Sequence, residues 1–140
     1  MKTDLHVNFS GNCDEAFSFY ETVFGTKRLL TMTYGQAPQP APVPEEWSGK
    51  VMHTSMPVGS ITLMGCDAPP DRGAPMGGFQ VSISDADEVE VRRLYAALSE
   101  GGSIVMPLAP TFWTSLFGMC KDKFGMNWMV SVPGPEMSTT

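Results

Sequence analysis

Between Asp4 and Ser10 the apolar residues Leu5, Val7 and Phe9 alternate with Asp4, His6, Asn8 and Ser10, the period-two pattern of a strand whose two faces differ chemically. After Gly11 the period changes. Ala16, Tyr20, Val23 and Phe24 fall on one helical stripe, Asn12 with Glu15 makes a capping-box pattern, and Gly25 is placed to stop the helix predicted over 14–24. Lys27–Thr33 reads as a second strand, and Val51–Val58 with Ile61–Cys66 as a hairpin turning at Gly59-Ser60. The opening pattern then returns. Phe79, Val81 and Ile83 mark a strand over 79–84, Ser84 to Glu88 carry overlapping cap signals, and a helix with Val89, Leu94, Ala97 and Leu98 inward runs to about Ser99. Strands follow at 104–108, near 116–121 and at 127–132, with Asp122-Lys123-Phe124-Gly125 turning between the last two.

The order strand–helix–strand–strand–strand therefore occurs twice, offset by about 75 residues between Asp4 and Phe79. It predicts an α+β chain of two βαβββ modules in tandem, over about 4–66 and 79–132, within one domain covering 1–140. Each module can curl a four-stranded sheet. The segment 35–48 carries Pro38, Pro40, Pro42 and Pro44 and reads as an extended loop, and 133–140 reads as a frayed tail.

Composition narrows the functional classes. The 140 residues are 42% apolar and only 17% charged, with a formal charge of −6, and the longest basic run is Arg92-Arg93. A polyanion partner such as nucleic acid is therefore not expected. No apolar stretch has the length of a membrane span, and the first residues lack the apolar core of a signal peptide, so a cytoplasmic setting is expected. Cys13, Cys66 and Cys120 are odd in number and widely spaced, which favours free thiols in a reducing compartment over a disulfide framework or a zinc knuckle. Eleven methionines suit adaptable apolar space such as a binding cavity.

Three words in the chain resemble the vicinal oxygen chelate superfamily, the paired βαβββ group that includes glyoxalase I, extradiol dioxygenases and the fosfomycin and bleomycin resistance proteins, and more closely its PhnB-like branch. They are Asn12-Cys13-Asp14-Glu15-Ala16-Phe17-Ser18-Phe19-Tyr20 followed by Phe24-Gly25, the hairpin Gly59 to Asp67 ending Leu63-Met64-Gly65-Cys66-Asp67, and Thr111-Phe112-Trp113 followed by Asp122-Lys123-Phe124-Gly125-Met126-Asn127-Trp128. The resemblance implies curved mixed sheets around a cup and, commonly, a homodimer. In metal-using members it implies one ligand on each of the first, fourth, fifth and last strands. Those positions fall on His6, on Thr62 or Met64, on Phe79 or Gln80, and on Met129. Only His6 keeps a side chain suited to nickel, zinc, iron or manganese, which prefer imidazole, carboxylate or thiolate to thioether and phenyl groups.

The expectation is thus a small-organic-molecule binder with no metal, no other cofactor and no catalytic residue assigned. His6, Met64, Phe79, Trp113 and Met129 are its candidate ligand contacts. One alternative is a metal-dependent lyase, isomerase or dioxygenase using His6 with His53 or Gln80; another is a non-catalytic structural or interaction subunit. His53 reads either as a partner of His6 or as a hydrogen-bonded sheet histidine, and Cys66 and Cys120 read as inert thiols in apolar strands. Some members of the branch carry a methyltransferase label, but no glycine-rich strand-to-helix loop of the kind that holds a methyl donor is present here.

Overall fold

Asp67 and Asp122, each at most 2% exposed, tie together the turns from which the two halves of the chain are built. The computed structural model describes residues 1–38 and 43–134. Its elements are β1 (Leu5–Phe9), α1 (Cys13–Phe24), β2 (Leu30–Thr33), β3 (Val51–Val58), β4 (Ile61–Asp67), β5 (Val81–Ser84), α2 (Glu88–Ser99), β6 (Ser103–Ala109), β7 (Phe117–Lys121) and β8 (Asn127–Ser131). The predicted order appears twice, and the chain divides into two compact units, Met1–Met76 and Gly77–Thr140.

Each unit holds one four-stranded mixed sheet, in the order β1-β4-β3-β2 and β5-β8-β7-β6. The first and last strands of each module pair in parallel, β1 with β4 and β5 with β8; the other neighbours are antiparallel. A parallel neighbour requires a long crossover, and the helix with the intervening hairpin supplies it. The α+β architecture is the one expected.

One face of each sheet is covered by its own helix. In the first module Cys13, Ala16, Phe17, Tyr20 and Val23 of α1 are buried, against Val7, Phe9, Leu63, Thr54 and Met56 of the strands. Close approach depends on Gly65: a Cβ there would stand 2.6 Å from the Phe17 ring. In the second module Val91, Leu94, Tyr95 and Leu98 of α2 are buried. A Cβ at Gly118 would meet Tyr95 at 2.7 Å and Leu108 at 2.9 Å. The predicted inward set of α2 needs correcting. Val89 is 75% exposed, whereas Val91 and Tyr95 are buried. Val89 lies in the first turn beside the Asp87 cap, which accepts its N–H at 3.0 Å and turns that position outward.

Asn12 occupies the cap position of α1 as predicted, but its side chain makes no capping bond. Asp67, at the end of β4, takes over: Oδ1 accepts from the N–H of Gly11 (3.0 Å) and Cys13 (2.9 Å), and Oδ2 from Val51 N–H (2.9 Å). A carboxylate that satisfies otherwise orphaned N–H groups is a stronger cap than a neutral amide. The second module's buried carboxylate, Asp122, instead closes the turn between β7 and β8. Its Oδ1 accepts from the N–H of Phe124 (2.9 Å) and Met126 (3.0 Å), and its Oδ2 from Trp128 Nε1 (2.9 Å).

Several boundaries move. β2 begins at Leu30 rather than Lys27 because Arg28 is tied to α1: its N–H donates to Glu21 Oε2 at 2.9 Å and its guanidinium contacts Asp14 and Glu21. β5 begins at Val81, leaving Phe79 and Gln80 ahead of the strand. Of the proline-rich loop, residues 39–42 lie outside the described residues, as do 135–140 of the tail. The rest of the loop is not simply extended. It forms short 3-10 turns at Tyr34–Gln36 and Glu45–Trp47, closed by Tyr34 N–H to Lys50 O (3.0 Å) and Gly35 N–H to Ser48 O (2.8 Å).

Candidate functional site

Because side chains alternate along a strand, the residues opposite the helix face form a second set on each sheet. In the first module this set includes His6 and Asn8 on β1, Met64 and Cys66 on β4, His53 and Ser55 on β3, and Leu30 and Met32 on β2. The pairing register lines them into a row, His6–Met64–Ser55–Leu30, running across the strands. Met32 stands opposite His53, and Cys66 opposite Asn8.

His6 and His53 reach toward one another from strands that flank β4. Their rings are stacked, with centroids 6.4 Å apart and planes 17° from parallel. Partial burial lowers the His6 pKa, and the nearby His53 lowers it further, because both effects disfavour the charged form. The Cys66 thiol donates to Asn8 Oδ1 at 3.2 Å, and burial pushes its pKa up, with the Asp67 charge adding to the effect. Cys120 is pushed up to about 11 by burial, and Cys13 is raised further still. All three cysteines are free, and raised thiols of this kind are poor nucleophiles.

In the second module the corresponding row is Ser82–Met129–Met119–Met106. Met129 therefore stands where Met64 stands in the first module, and Ser82 where His6 stands. The fifth-strand position falls on Ser82 rather than on Phe79 or Gln80, which lie ahead of the strand. Trp113 lies in the β6–β7 connection, half-buried, edge-on to Phe112 (4.8 Å) and Phe117 (5.4 Å). The first module thus brings His6, His53 and Met64 to one sheet face, and the second places Met129 on its own corresponding face. Two cavities, of about 380 and 320 Å³, adjoin the long loop of the first module, one beside Tyr34 and Pro44 and the other beside Trp47 and Pro75. His6 lines neither.

A model of the Glyoxalase/Bleomycin resistance protein/Dioxygenase superfamily matches residues 5–130. The chain belongs to that superfamily. Protein YjdN from Escherichia coli (strain K12) is 30% identical over 140 residues, covering 94% of this chain and 95% of its own. The crystal structure of protein PA1353 from Pseudomonas aeruginosa superposes with a TM-score of 0.86 at 39% identity, over 95% of this chain and 98% of that one. A putative 3-demethylubiquinone-9 3-methyltransferase, PhnB protein, from Bacillus cereus shares the fold at a TM-score of 0.75 and 22% identity, over 94% and 99% of the two chains.

The superfamily's metal-using members raise the question of whether these residues fit an ion. The four strand positions hold an imidazole, two thioethers and a hydroxyl: His6, Met64, Met129 and Ser82. This is a poor donor set for a divalent first-row metal. His53 adds an imidazole, but two histidines alone fall short of the three or four protein ligands that hold such an ion. Among the described residues no three His, Cys, Asp or Glu gather into a possible metal-holding group. The residues do not fit the metal centre.

Proposed function

We propose that this protein binds a small organic molecule on the helix-free face of its first module, with His6 and Met64 as contacts and without a catalytic metal. The observation that carries the reading is the open His6–His53 pair set among Met32, Met64 and Leu30. It combines polar groups able to orient a ligand with apolar surface able to hold its carbon skeleton. On the second module's own corresponding face, Met106 and Met119 extend the apolar row beside Met129. The superfamily's range of chemistry leaves a binder and an enzyme equally compatible with the fold, so the function rests on the site.

The reading takes the chain as a cytoplasmic homodimer. Its free cysteines support the first part. Among the described residues no helix is long and apolar enough to cross a membrane. The exposed apolar surface of β6, where Ile104, Val105 and Met106 are all 44% exposed or more, supports the second.

Elemental analysis of protein purified without an affinity tag tests the metal-free reading. The expected result is far less than one equivalent of transition metal. About one equivalent, lost in His6→Ala, would establish the glyoxalase-type alternative instead. A thermal-shift screen of small organic molecules tests binding: hits should lose their effect in His6→Ala and Met64→Ala, and a screen whose hits ignore both substitutions would move the site elsewhere.

A further inference from the structure

We propose that the His6–His53 pair seats the carboxylate of an organic acid with an apolar body, and that binding takes up a proton. This rests on the reading above and names the class of ligand.

Neither imidazole has a hydrogen-bond partner among the described residues, and no buried side-chain nitrogen or oxygen is left unsatisfied, so the ring nitrogens are open to solvent or ligand. Just ahead of β1, Asp4 is occupied, accepting from Lys2 Nζ at 2.5 Å and from Thr62 N–H at 2.9 Å. On β4 the titratable neighbour is Cys66, a raised thiol already donating to Asn8. The β3 face adds Ser55, and β2 adds Leu30 and Met32, none of them titratable. Among the described residues no unengaged carboxylate faces the pair to neutralise an imidazolium there, so the charge the pair lacks is a negative one.

Spacing favours a carboxylate over a single ion. Its two oxygens can each accept a charge-assisted bond of about 2.8 Å from a separate ring, which spans stacked imidazoles more readily than one metal does. Protonating the pair in the free protein places a positive charge beside a second imidazole on a partly buried sheet face. Both costs fall when an anion accepts from the N–H edges of the two rings, so ligand and proton bind together. Met64, paired with His6, and Met32, paired with His53, supply adaptable apolar surface on either side for the rest of the molecule.

The chain has only two histidines, so its imidazole proton resonances can be assigned with one variant each. Titrating benzoate, hexanoate, their neutral amides and inorganic phosphate across pH 6–8, by calorimetry and by NMR, tests the proposal. At least one acid should bind at least about tenfold more tightly than its amide at pH 7, and its affinity should fall by up to about tenfold per pH unit as the linked proton is lost. A histidine resonance should titrate at higher pH in the complex, and the binding heat should change with the ionisation enthalpy of the buffer. His6→Asn and His53→Asn should each abolish the acid preference while leaving the circular dichroism unchanged. Equal binding of acid and amide would overturn the carboxylate seat while leaving the small-molecule reading intact. Phosphate binding as tightly as the acids would overturn the organic-acid assignment. Failure of every probe to bind would count against both.

Discussion

The two modules repeat one another on the face packed under the helix and part company on the other. Beneath the helices the rows Val7–Gly65–Thr54 and Ile83–Val130–Gly118 occupy the same register. Both include a glycine where an aromatic ring of the helix comes closest, yet the glycine has changed strands, from β4 in the first module to β7 in the second. Phe17 leans on one and Tyr95 on the other. The fold requires a gap for the ring and tolerates either neighbour supplying it. On the open face the rows His6–Met64–Ser55–Leu30 and Ser82–Met129–Met119–Met106 differ in chemistry, one mixed and one almost wholly thioether. Packing constrains the first kind of row and function the second, so the modules have diverged where they do not need to pack.

The comparison is broken most decisively at the buried carboxylates. Asp67→Ala removes the acceptor of three backbone N–H groups and Asp122→Ala that of two N–H groups and the Trp128 indole. Each is expected to cost about 3–5 kcal/mol, since unsatisfied buried donors cost about 1–3 kcal/mol apiece and some regain water. Urea denaturation measures this, and a loss below about 1 kcal/mol at either site would show that the two carboxylates are not equivalent. Gly65→Ala and Gly118→Ala come next, at about 1–3 kcal/mol each, because a methyl must displace a packed ring.

Val105→Lys tests the open edge of β6. It should change the stability of the folded chain by less than about 0.5 kcal/mol. In light scattering, however, the homodimer proposed above should give way to about 15.2 kDa in the variant; an unsubstituted chain already at that mass would overturn the dimer, and a variant that stays dimeric would place the interface elsewhere. The smallest effect belongs to His6. In the unfolded chain it takes up protons near its ordinary value of 6.5, but in the folded chain only at lower pH. The unfolded state therefore holds more protons in that interval, and stability is lost as the pH falls through it. His6→Asn should flatten the decline, and a parallel slope in the variant would assign it to another group.

Where the predicted site residues ended up depends on how far each inference reached along the chain. His6 on the polar side of the first strand follows from alternation within seven residues, and the start of α2 from the overlapping cap signals of Ser84 to Glu88, among which the structure uses Asp87. Asp67, by contrast, caps α1 from more than fifty residues away, so the local Asn12–Glu15 pattern pointed to a cap whose side chain is not used. The final Leu-Met-Gly-Cys-Asp word did mark that carboxylate, although nothing nearby reveals what it bonds. The spacing of Phe79 from Val81 and Ile83 is strand-like, but that strand pairs only from Val81 onward, which makes Ser82 the partner of Met129.

The repeated module, the two helices and the alternation that gives each sheet a packed and an open side were written in the sequence itself, because periodicity is a local property of neighbouring residues. The stacking of His6 on His53, the rows across the strands and the exchange of glycine between β4 and β7 were decided only by tertiary structure. Each depends on register between segments tens of residues apart, and register is set when strands pair and helices pack, not by any one stretch of chain.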